Sequence, residues 1–331
     1  MSIPIATSIA PYNIEIQQRA VASWEKLGFS VISVNAEDEI AVVRDAFPTV
    51  RFVAVARNAS RKNRAYVCFD DILAALLETG SRVFGIVNSD VFLVADDDFG
   101  AFIGREAAES VVFGSRVDLD ALDSPEGDLF VVGFDYFFFN RQAAGFFPQT
   151  EFCLGIPWWD YWVPIVPLMK GYPVRQLLTP VAFHLRHPSR YQYRYYISYA
   201  DKMYGYLVRQ SAIAGSDSEL VHILGEFGKR PNSSSLAFTL LGYIVRKADK
   251  LIYRNVEKDA ASQEISFEEY ISMKYELDYY RRYVVVLHKY YAEIIRRILA
   301  SRTWRIAAPL RWVRNKLMRW PVPMTSIERH A

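Results

Sequence analysis

The chain has 331 residues, of which 51% are hydrophobic and 23% charged, enough apolar sequence for a large core in one or two domains. Its net charge is +2, and it contains no run of 18 uncharged apolar residues, which excludes a membrane-spanning helix of the usual kind. Two cysteines, Cys68 and Cys153, exclude a disulfide framework and favour reduced thiols in a cytosolic protein. The first residues lack a signal-peptide pattern, so we expect a soluble or surface-bound protein.

Apolar strands alternate with amphipathic helices over the first 94 residues. The predicted strands are Ile3–Ile9, Phe29–Val34, Arg51–Ala56 and Val83–Val94, and the predicted helices are Ile16–Leu27, Glu37–Ala46 and Asp70–Thr79. This alternation is typical of βαβ units. The predicted fold class is therefore α/β, a Rossmann-like, mostly parallel sheet flanked by helices.

The remainder of the chain has a different pattern. Between Gly100 and His187 it is irregular, with short strands predicted around Val111–Phe113, Leu129–Phe134 and Val181–His184. After about Ser211 it is mostly helical. We therefore predict an α/β domain at residues 1–210, a helical region at 211–300 as a C-terminal extension, and a basic tail at 301–331.

Several polar residues fall where the predicted parallel strands end. They are Thr7, Ser8, Arg57, Asn88, Ser89 and Asp90. Ligands of such sheets bind beyond the carboxyl ends of the strands, so we expect these residues to converge on one crevice and to bind a common ligand. For Arg57, which lies in a basic loop, exposure to solvent is an equally good interpretation.

Asp90 is the residue of this group that most needs a partner. It lies in the apolar run Val83–Val94, which predicts a strand buried on both faces, where an unpaired carboxylate is costly. Asn88, Ser89 and Asp90 are also good turn formers. The alternative is a site for a divalent cation, since Mg²⁺ is usually held by one or two carboxylates together with substrate phosphates.

The stretch GIPWWDYWVP surrounds Asp160 with aromatic residues, including Trp158 and Trp159. Aromatic faces can stack on sugars, and a neighbouring carboxylate can orient or deprotonate a hydroxyl group. This favours Asp160 as a general base or as a ligand of the acceptor hydroxyl, with Trp158 and Trp159 in the acceptor site. The alternative is a packed aromatic loop in which Asp160 caps a helix.

The sequence resembles the GT-A class of nucleotide-sugar glycosyltransferases between about Ile3 and Tyr193. The resemblance rests on the opening strand into TSIAPYN, the segment AVASWEKLGFSVISVN, the acidic IVNSD after a buried strand, and the later aromatic-acidic loop. It implies a nucleotide-sugar donor held through a divalent cation, Mn²⁺ or Mg²⁺. Asn88 stands where the first acid of a strict DxD motif would be, so Asp90 alone could hold the metal, or the metal could be absent.

The same resemblance draws attention to FHLRHP, which contains His184 and His187. In the family a late histidine often completes the metal shell or contacts the diphosphate, and imidazole is a common ligand of transition metals. A structural role for both histidines is the alternative. Asp135, in GFDYFFFNR, is a candidate acceptor ligand that could instead pair with Arg116 or Arg141.

The C-terminal part is strongly basic. Between Arg281 and Trp320 the chain has 11 Lys and Arg residues against one acid, Glu293. From Pro309 apolar and basic residues recur at helical spacing, which predicts an interfacial helix on an anionic membrane, or a helix packed on the body. The ending IAAPLRWVRNKL also resembles that of bacterial polysaccharide-assembly enzymes, and the segment Tyr275–Leu299 favours a long amphipathic or oligomerising helix.

Three functions compete on these observations. The first is a glycosyltransferase of cell-surface polysaccharide synthesis, cytoplasmic and peripheral at the inner face of the membrane, which moves a sugar to a lipid-linked or glycan acceptor. The second, nucleic-acid binding, is disfavoured because the body is acidic and has no recognised nucleic-acid-binding motif. The third is a non-catalytic scaffold or binding protein with the same fold, anchored at the membrane by its basic tail.

Overall fold

The structure is a computed structural model that describes residues 2–55, 66–121, 127–187, 193–214 and 217–253. Within these ranges the core is an eight-stranded sheet in the order β12-β10-β6-β9-β4-β1-β2-β3. Its strands are β1 (Pro4–Thr7), β2 (Ser30–Ala36), β3 (Arg51–Val55), β4 (Val83–Val87), β6 (Val111–Gly114), β9 (Tyr136–Asn140), β10 (Val174–Leu177) and β12 (Asp249–Leu251). Among the described pairings of this eight-stranded sheet, only β9 runs antiparallel to its neighbours, β4 and β6. The mostly parallel sheet that the sequence predicts is confirmed.

Helices cover both faces of this sheet. They are α1 (Ile14–Lys26), α2 (Glu37–Val43), α3 (Phe69–Glu78), α4 (Phe99–Glu106), α5 (Arg141–Ala144), α6 (Trp159–Met169), α7 (Tyr193–Ala214), α8 (Ser218–Lys229) and α9 (Ser233–Lys247). On one face Trp24 of α1 and Phe99 of α4 are fully buried in a cluster with Phe138. On the other face the ring of Phe137 packs against that of Trp159 at the start of α6. Alternate residues of β9 thus contribute to two cores.

A second sheet of four strands lies beyond β4. Its order is β5 (Val91–Leu93), β11 (Ala182–Leu185), β7 (Val117–Leu119) and β8 (Gly127–Leu129). The prediction of one continuous strand over Val83–Val94 was therefore wrong. The chain turns at Asn88, whose carbonyl oxygen accepts a hydrogen bond from Val91 N at 3.0 Å, and β5 then joins the second sheet.

Helices α4, α5 and α6 lie where the sequence pattern is irregular. Helix α4 follows an acidic stretch, and α6 begins inside the aromatic segment and continues through Pro164 and Pro167. Helix α7 extends through residue 210, where we predicted a domain boundary, and β12 joins the main sheet beside β10. The division of the chain at 210 and 300 stays a prediction, and the basic tail at 301–331 lies outside the described residues.

Within the described ranges, no helix combines the length and the apolar character that crossing a membrane requires.

Candidate functional site

The candidate site lies at the carboxyl ends of β1 and β4. The strand order β3-β2-β1-β4 reverses between β1 and β4, because the chain continues from β1 to β2 on one side of this pair and from β4 toward β9 and β6 on the other. A crevice forms at such a switch point. Ser8 follows β1 and Asn88 follows β4, so both lie at this point.

The second sheet brings two distant segments to the turn at residues 88–90. In β11, His184 pairs with Val91 of β5 on one side and with Asp118 of β7 on the other. Asp90 immediately precedes β5, so its side chain lies beside that of His184. His187 follows β11 by two residues and completes the group.

Asp90, His184 and His187 form a compact cluster of possible metal ligands. His184 Nε2 is 3.1 Å from His187 Nε2 and 3.6 Å from Asp90 Oδ2, and His187 Nε2 is 3.2 Å from Asp90 Oδ2. The side chain of His184 is buried, whereas those of Asp90 and His187 are about one-third exposed. One side of the cluster therefore faces solvent.

These separations fit a cation bound by all three side chains. With metal–ligand bonds of about 2.1 Å, neighbouring ligand atoms lie about 3.0 Å apart in octahedral and about 3.4 Å apart in tetrahedral geometry. Two of the observed distances, 3.1 and 3.2 Å, lie within that range, and the third, 3.6 Å, lies slightly above it. Two imidazole nitrogens and one carboxylate oxygen suit a divalent transition-metal ion better than Mg²⁺, which prefers oxygen ligands.

The ring of His184 is oriented by Asp118. His184 Nδ1 lies 2.9 Å from Asp118 Oδ1, the contact that a metal-binding histidine makes with a supporting carboxylate. Burial lowers the pKa of His184, but hydrogen bonds to Asp118 and Asp90 outweigh it and raise the pKa to about 9. Burial likewise raises the pKa of Asp90, and the hydrogen bonds from His184 and His187 reverse that effect and lower it. These contacts therefore favour a positive charge on His184 and a negative charge on Asp90.

Arg116 connects this cluster to Asp135. Its Nε donates to Asp118 Oδ1 at 2.7 Å and its Nη1 donates to Asp135 Oδ1 at 2.5 Å, while the guanidinium lies 4.1 Å from the centre of the Phe130 ring. Burial lowers the pKa of Arg116, but the two carboxylates raise it. The sequence analysis named Arg116 and Arg141 as possible partners of Asp135, and in the structure Arg116 pairs with it. Arg141 instead donates to the carbonyl oxygen of Leu77.

Asp135 is only 3% exposed and lies immediately before β9. Its Oδ1 also accepts a hydrogen bond from Asn88 Nδ2 at 3.0 Å, and no described group lies within hydrogen-bonding distance of Oδ2. The side-chain amide of Asn88 is therefore engaged with Asp135 through its Nδ2 atom.

Asp160 lies in the first turn of α6 and contacts the segment before β9. Its Oδ1 accepts a hydrogen bond from Trp158 N at 3.2 Å, and its Oδ2 accepts one from Phe134 N at 3.4 Å. Gly133 permits this approach, since a Cβ there would lie 2.9 Å from Asp160 Oδ2. Burial and the charge of Asp135 raise the pKa of Asp160 to about 7. A carboxyl group with that pKa can accept or donate a proton near neutral pH.

Trp158 and Trp159 are buried, at 2% and 4% exposure. The prediction that their rings stack on an acceptor was wrong, because both rings pack inside the protein. Trp158 has a left-handed backbone with φ 91°, uncommon for a bulky residue, and its Nε1 donates to Tyr196 O at 2.8 Å. It fixes the entry into α6, and so the position of Asp160.

The remaining predicted donor residues differ in accessibility. Ser8 and Ser89 are partly exposed near the switch point, and Ser8 Oγ accepts a hydrogen bond from Asn35 Nδ2 at 3.3 Å. Thr7 is fully buried, so its side chain lies beneath the surface and the prediction that it contacts a donor needs correction. Arg57 lies outside the described residues.

Asp118 was missed by the sequence analysis, and Arg116 was considered only as an ion-pair partner. The segment SRVDLD places Arg116, Asp118 and Asp120 at alternate positions, hence on one face of a strand. The sequence signal that could have identified these residues is the repetition of charged residues on one face of a short strand between apolar segments.

No protein-family model matches the chain, and no curated protein matches it. Solved structures show partial similarity. The 4-diphosphocytidyl-2C-methyl-D-erythritol synthase of Anaerococcus prevotii is 11% identical, with a TM-score of 0.35 over 58% of this chain and 91% of that one. The inositol-1-phosphate CTP transferase of T. maritima is 11% identical, with a TM-score of 0.34 over 59% and 94%.

HddC from Yersinia pseudotuberculosis, complexed with GMP-PN, is 12% identical, with a TM-score of 0.32 over 58% of this chain and 92% of that one. The structures with partial similarity thus include a synthase, a CTP transferase, a complex with GMP-PN and a pyrophosphorylase complexed with UDP-glucose. At these identities and TM-scores the similarity does not indicate an activity.

Proposed function

We propose that the protein is a metal-dependent glycosyltransferase of the GT-A type, which transfers a sugar from a nucleotide-sugar donor to a hydroxyl group of an acceptor. The observation that supports this most is the convergence of Asp90, His184 and His187 beside the carboxyl end of β4 in a mostly parallel sheet. A ligand set of this kind, open to solvent on one side, suits a cation that also binds phosphate oxygens.

On the donor side, Asp90, His184 and His187 would hold a divalent transition-metal ion such as Mn²⁺. When bound, such an ion stabilises the negative charge that develops on a departing diphosphate. Asp118 orients His184, and Ser8 and Ser89 are partly exposed after β1 and β4, where the nucleotide would lie. Arg57 stays a candidate for the diphosphate.

On the acceptor side, Asp160 has the ionisation that a general base requires, since its pKa of about 7 allows it to take a proton from an acceptor hydroxyl at neutral pH. The Oδ2 atom of Asp135 is buried and has no hydrogen-bond partner among the described residues, so a hydroxyl group that entered beside it would supply the missing hydrogen bond. Burial and the negative charge of Asp135 raise the pKa of Asp160. A ligand that donates a hydrogen bond to Asp135 would offset part of that charge, so Asp160 would lose its proton more easily.

The acceptor class is proposed from the sequence of the tail. Its basic and apolar residues suit attachment to anionic lipid at the inner face of a membrane, where a lipid-linked sugar or a growing glycan would be the acceptor. This proposal concerns residues outside the described ranges.

The direct test is donor turnover by the full-length protein with a panel of nucleotide sugars and Mn²⁺. We expect at least one donor to release nucleoside diphosphate, because glycosyl transfer breaks the bond between the anomeric carbon and the diphosphate. Asp90→Ala should abolish release, whereas Asp97→Ala, at an exposed acid outside the cluster, should leave it unchanged. Release of nucleoside monophosphate would indicate cleavage between the phosphates and contradict the proposal, as would unchanged turnover in Asp90→Ala.

A further inference from the structure

The two cysteines of the chain lie side by side although 85 positions separate them in sequence. Cys68 directly precedes α3, and Cys153 lies in the segment that leads to α6. Their Sγ atoms are 3.9 Å apart, and the two residues form an isolated antiparallel bridge. Neither cysteine belongs to the cluster of Asp90, His184 and His187 or to the acceptor side of the proposed site.

The backbone around this pair has the geometry that a disulfide requires. Phe69 N donates to Phe152 O at 2.8 Å, and Leu154 N donates to Val67 O at 3.0 Å. Cys68 and Cys153 are therefore the non-hydrogen-bonded pair between these two bonds, and such pairs have Cα atoms about 4.5 Å apart. Disulfides span Cα separations of about 4.4 to 6.8 Å, so closure needs only rotation of the side chains.

The two thiols are unequal in access and in chemistry. Cys153 is 1% exposed, whereas Cys68 is partly exposed. Cys68 occupies the N-cap position of α3, where the helix dipole favours a thiolate. The hydrogen bond from Cys153 is the main influence on the pKa of the Cys68 thiol and lowers it, against the opposing effects of burial and of nearby acids.

We propose that Cys68 and Cys153 form a redox modification site that is oxidised to an intramolecular disulfide by a small-molecule disulfide such as glutathione disulfide. The Cys68 thiolate attacks one sulfur of glutathione disulfide, forms a mixed disulfide and releases glutathione thiolate. Cys153 then loses its proton and attacks the Cys68 sulfur, which releases a second glutathione. The protein loses two protons and two electrons, which together are two hydrogen atoms, and the glutathione disulfide gains them.

The cross-link would close a loop that contains part of the candidate site, whereas Asp160, His184 and His187 lie outside it. The loop between the two cysteines contains Asp90, Arg116, Asp118 and Asp135. A disulfide that closes a loop of this length restricts the unfolded chain strongly, so oxidation should stabilise the fold. We expect the melting temperature of the oxidised protein to exceed that of the reduced protein by about 4 °C or more.

The test is incubation of the reduced, full-length, folded protein with excess glutathione disulfide, followed by intact-mass and peptide analysis. The wild-type chain should lose two hydrogens, retain no glutathione and yield a peptide linked through Cys68 and Cys153. Cys153→Ser should stop at one glutathione adduct on Cys68, and Cys68→Ser should not react, because Cys153 is buried. Dithiothreitol should reverse each change.

Three results would overturn the proposal: a wild-type protein that stays reduced, one that accumulates glutathione adducts without forming the linked peptide, or one that forms linked dimers instead. Equal reactivity of Cys68→Ser and Cys153→Ser would overturn the assignment of Cys68 as the attacking thiol. The wild-type result decides the central point by itself, so a serine variant that fails to fold does not leave it open. None of these readouts depends on glycosyl transfer.

Discussion

His184 and Asp118 face each other across neighbouring strands of the second sheet, with His184 Nδ1 2.9 Å from Asp118 Oδ1. This contact leaves Nε2 of the same ring directed at Asp90 and His187. An imidazole that donates through Nδ1 presents its Nε2 lone pair to a cation, so the strand register prepares His184 for metal binding.

The first prediction concerns that orientation. Asp118→Asn should weaken Mn²⁺ affinity by about 10- to 100-fold, because a neutral amide supports the ring less well than a carboxylate. Isothermal titration of the folded variant with Mn²⁺ measures the change. Asp97→Asn, the same substitution at an exposed acid, should bind like the wild type. Equal affinities in the two variants would show that Asp118 does not support His184 in binding Mn²⁺.

The second prediction concerns the pH dependence of stability. The pKa of Asp160 is about 7 in the folded protein and about 3.9 in an unfolded chain, so the folded state binds more protons between these values. The free energy of unfolding should therefore decrease as the pH rises from about 4 to about 7, by at most about 1.4 kcal/mol per pH unit from this group.

Asp160→Asn removes this titration, so its stability should vary less over that range than the wild type. Urea unfolding at pH 5 and pH 8 measures the difference, with Asp97→Asn as the matched control. A wild-type pH dependence retained in full by Asp160→Asn would show that the carboxyl group does not titrate near neutral pH.

The third prediction concerns the buried ion pair of Arg116 and Asp135. Arg116→Met should cost about 3 to 5 kcal/mol of unfolding free energy, because it leaves the Asp135 carboxylate buried without its cation. The double variant Arg116→Met/Asp135→Leu should recover part of the loss. The exposed pair Arg51–Glu78 provides the comparison, and Arg51→Ala should cost about 1 kcal/mol or less. Additive effects of the two substitutions would mean that the pair is not coupled.

The fourth prediction concerns the basic tail. A chain truncated after Ser301 should lose most of its binding to anionic liposomes, since each Lys or Arg near such a surface contributes about 1 kcal/mol. Salt should weaken the binding of the full-length chain, because screening acts on the charges, without abolishing the part due to Trp and Leu. Co-sedimentation measures both effects. Equal pelleting of the truncated and full-length proteins would exclude the tail as the membrane anchor.

The first half of the fold was predictable because its signals are local. Apolar strands and amphipathic helices alternate from β1 to β4, and the resulting order fixes which polar residues lie at the switch point. Val83–Val94 was misassigned because both its parts are buried and apolar, so periodicity does not reveal the turn at Asn88. Helix α6 was missed because Pro164 and Pro167 normally oppose a helix.

The candidate site was predictable in its members but not in its connections. Asp90 and the two histidines stand out as polar residues beside apolar strands. Their meeting depends on the pairing of β5 with β11, about 90 residues further along the chain, and local sequence does not encode that register. The same long-range pairing sets Asp118 beside His184.

The most direct test of the central claim is electron spin-echo envelope modulation of the full-length protein loaded with Mn²⁺ and a nucleoside diphosphate. If Asp90, His184 and His187 bind the ion that holds the donor diphosphate, the spectrum should contain couplings to imidazole nitrogen and to phosphorus at the same ion. The nitrogen coupling should weaken in His187→Ala. A spectrum with phosphorus coupling but no nitrogen coupling, or one unchanged by His187→Ala, would contradict the claim.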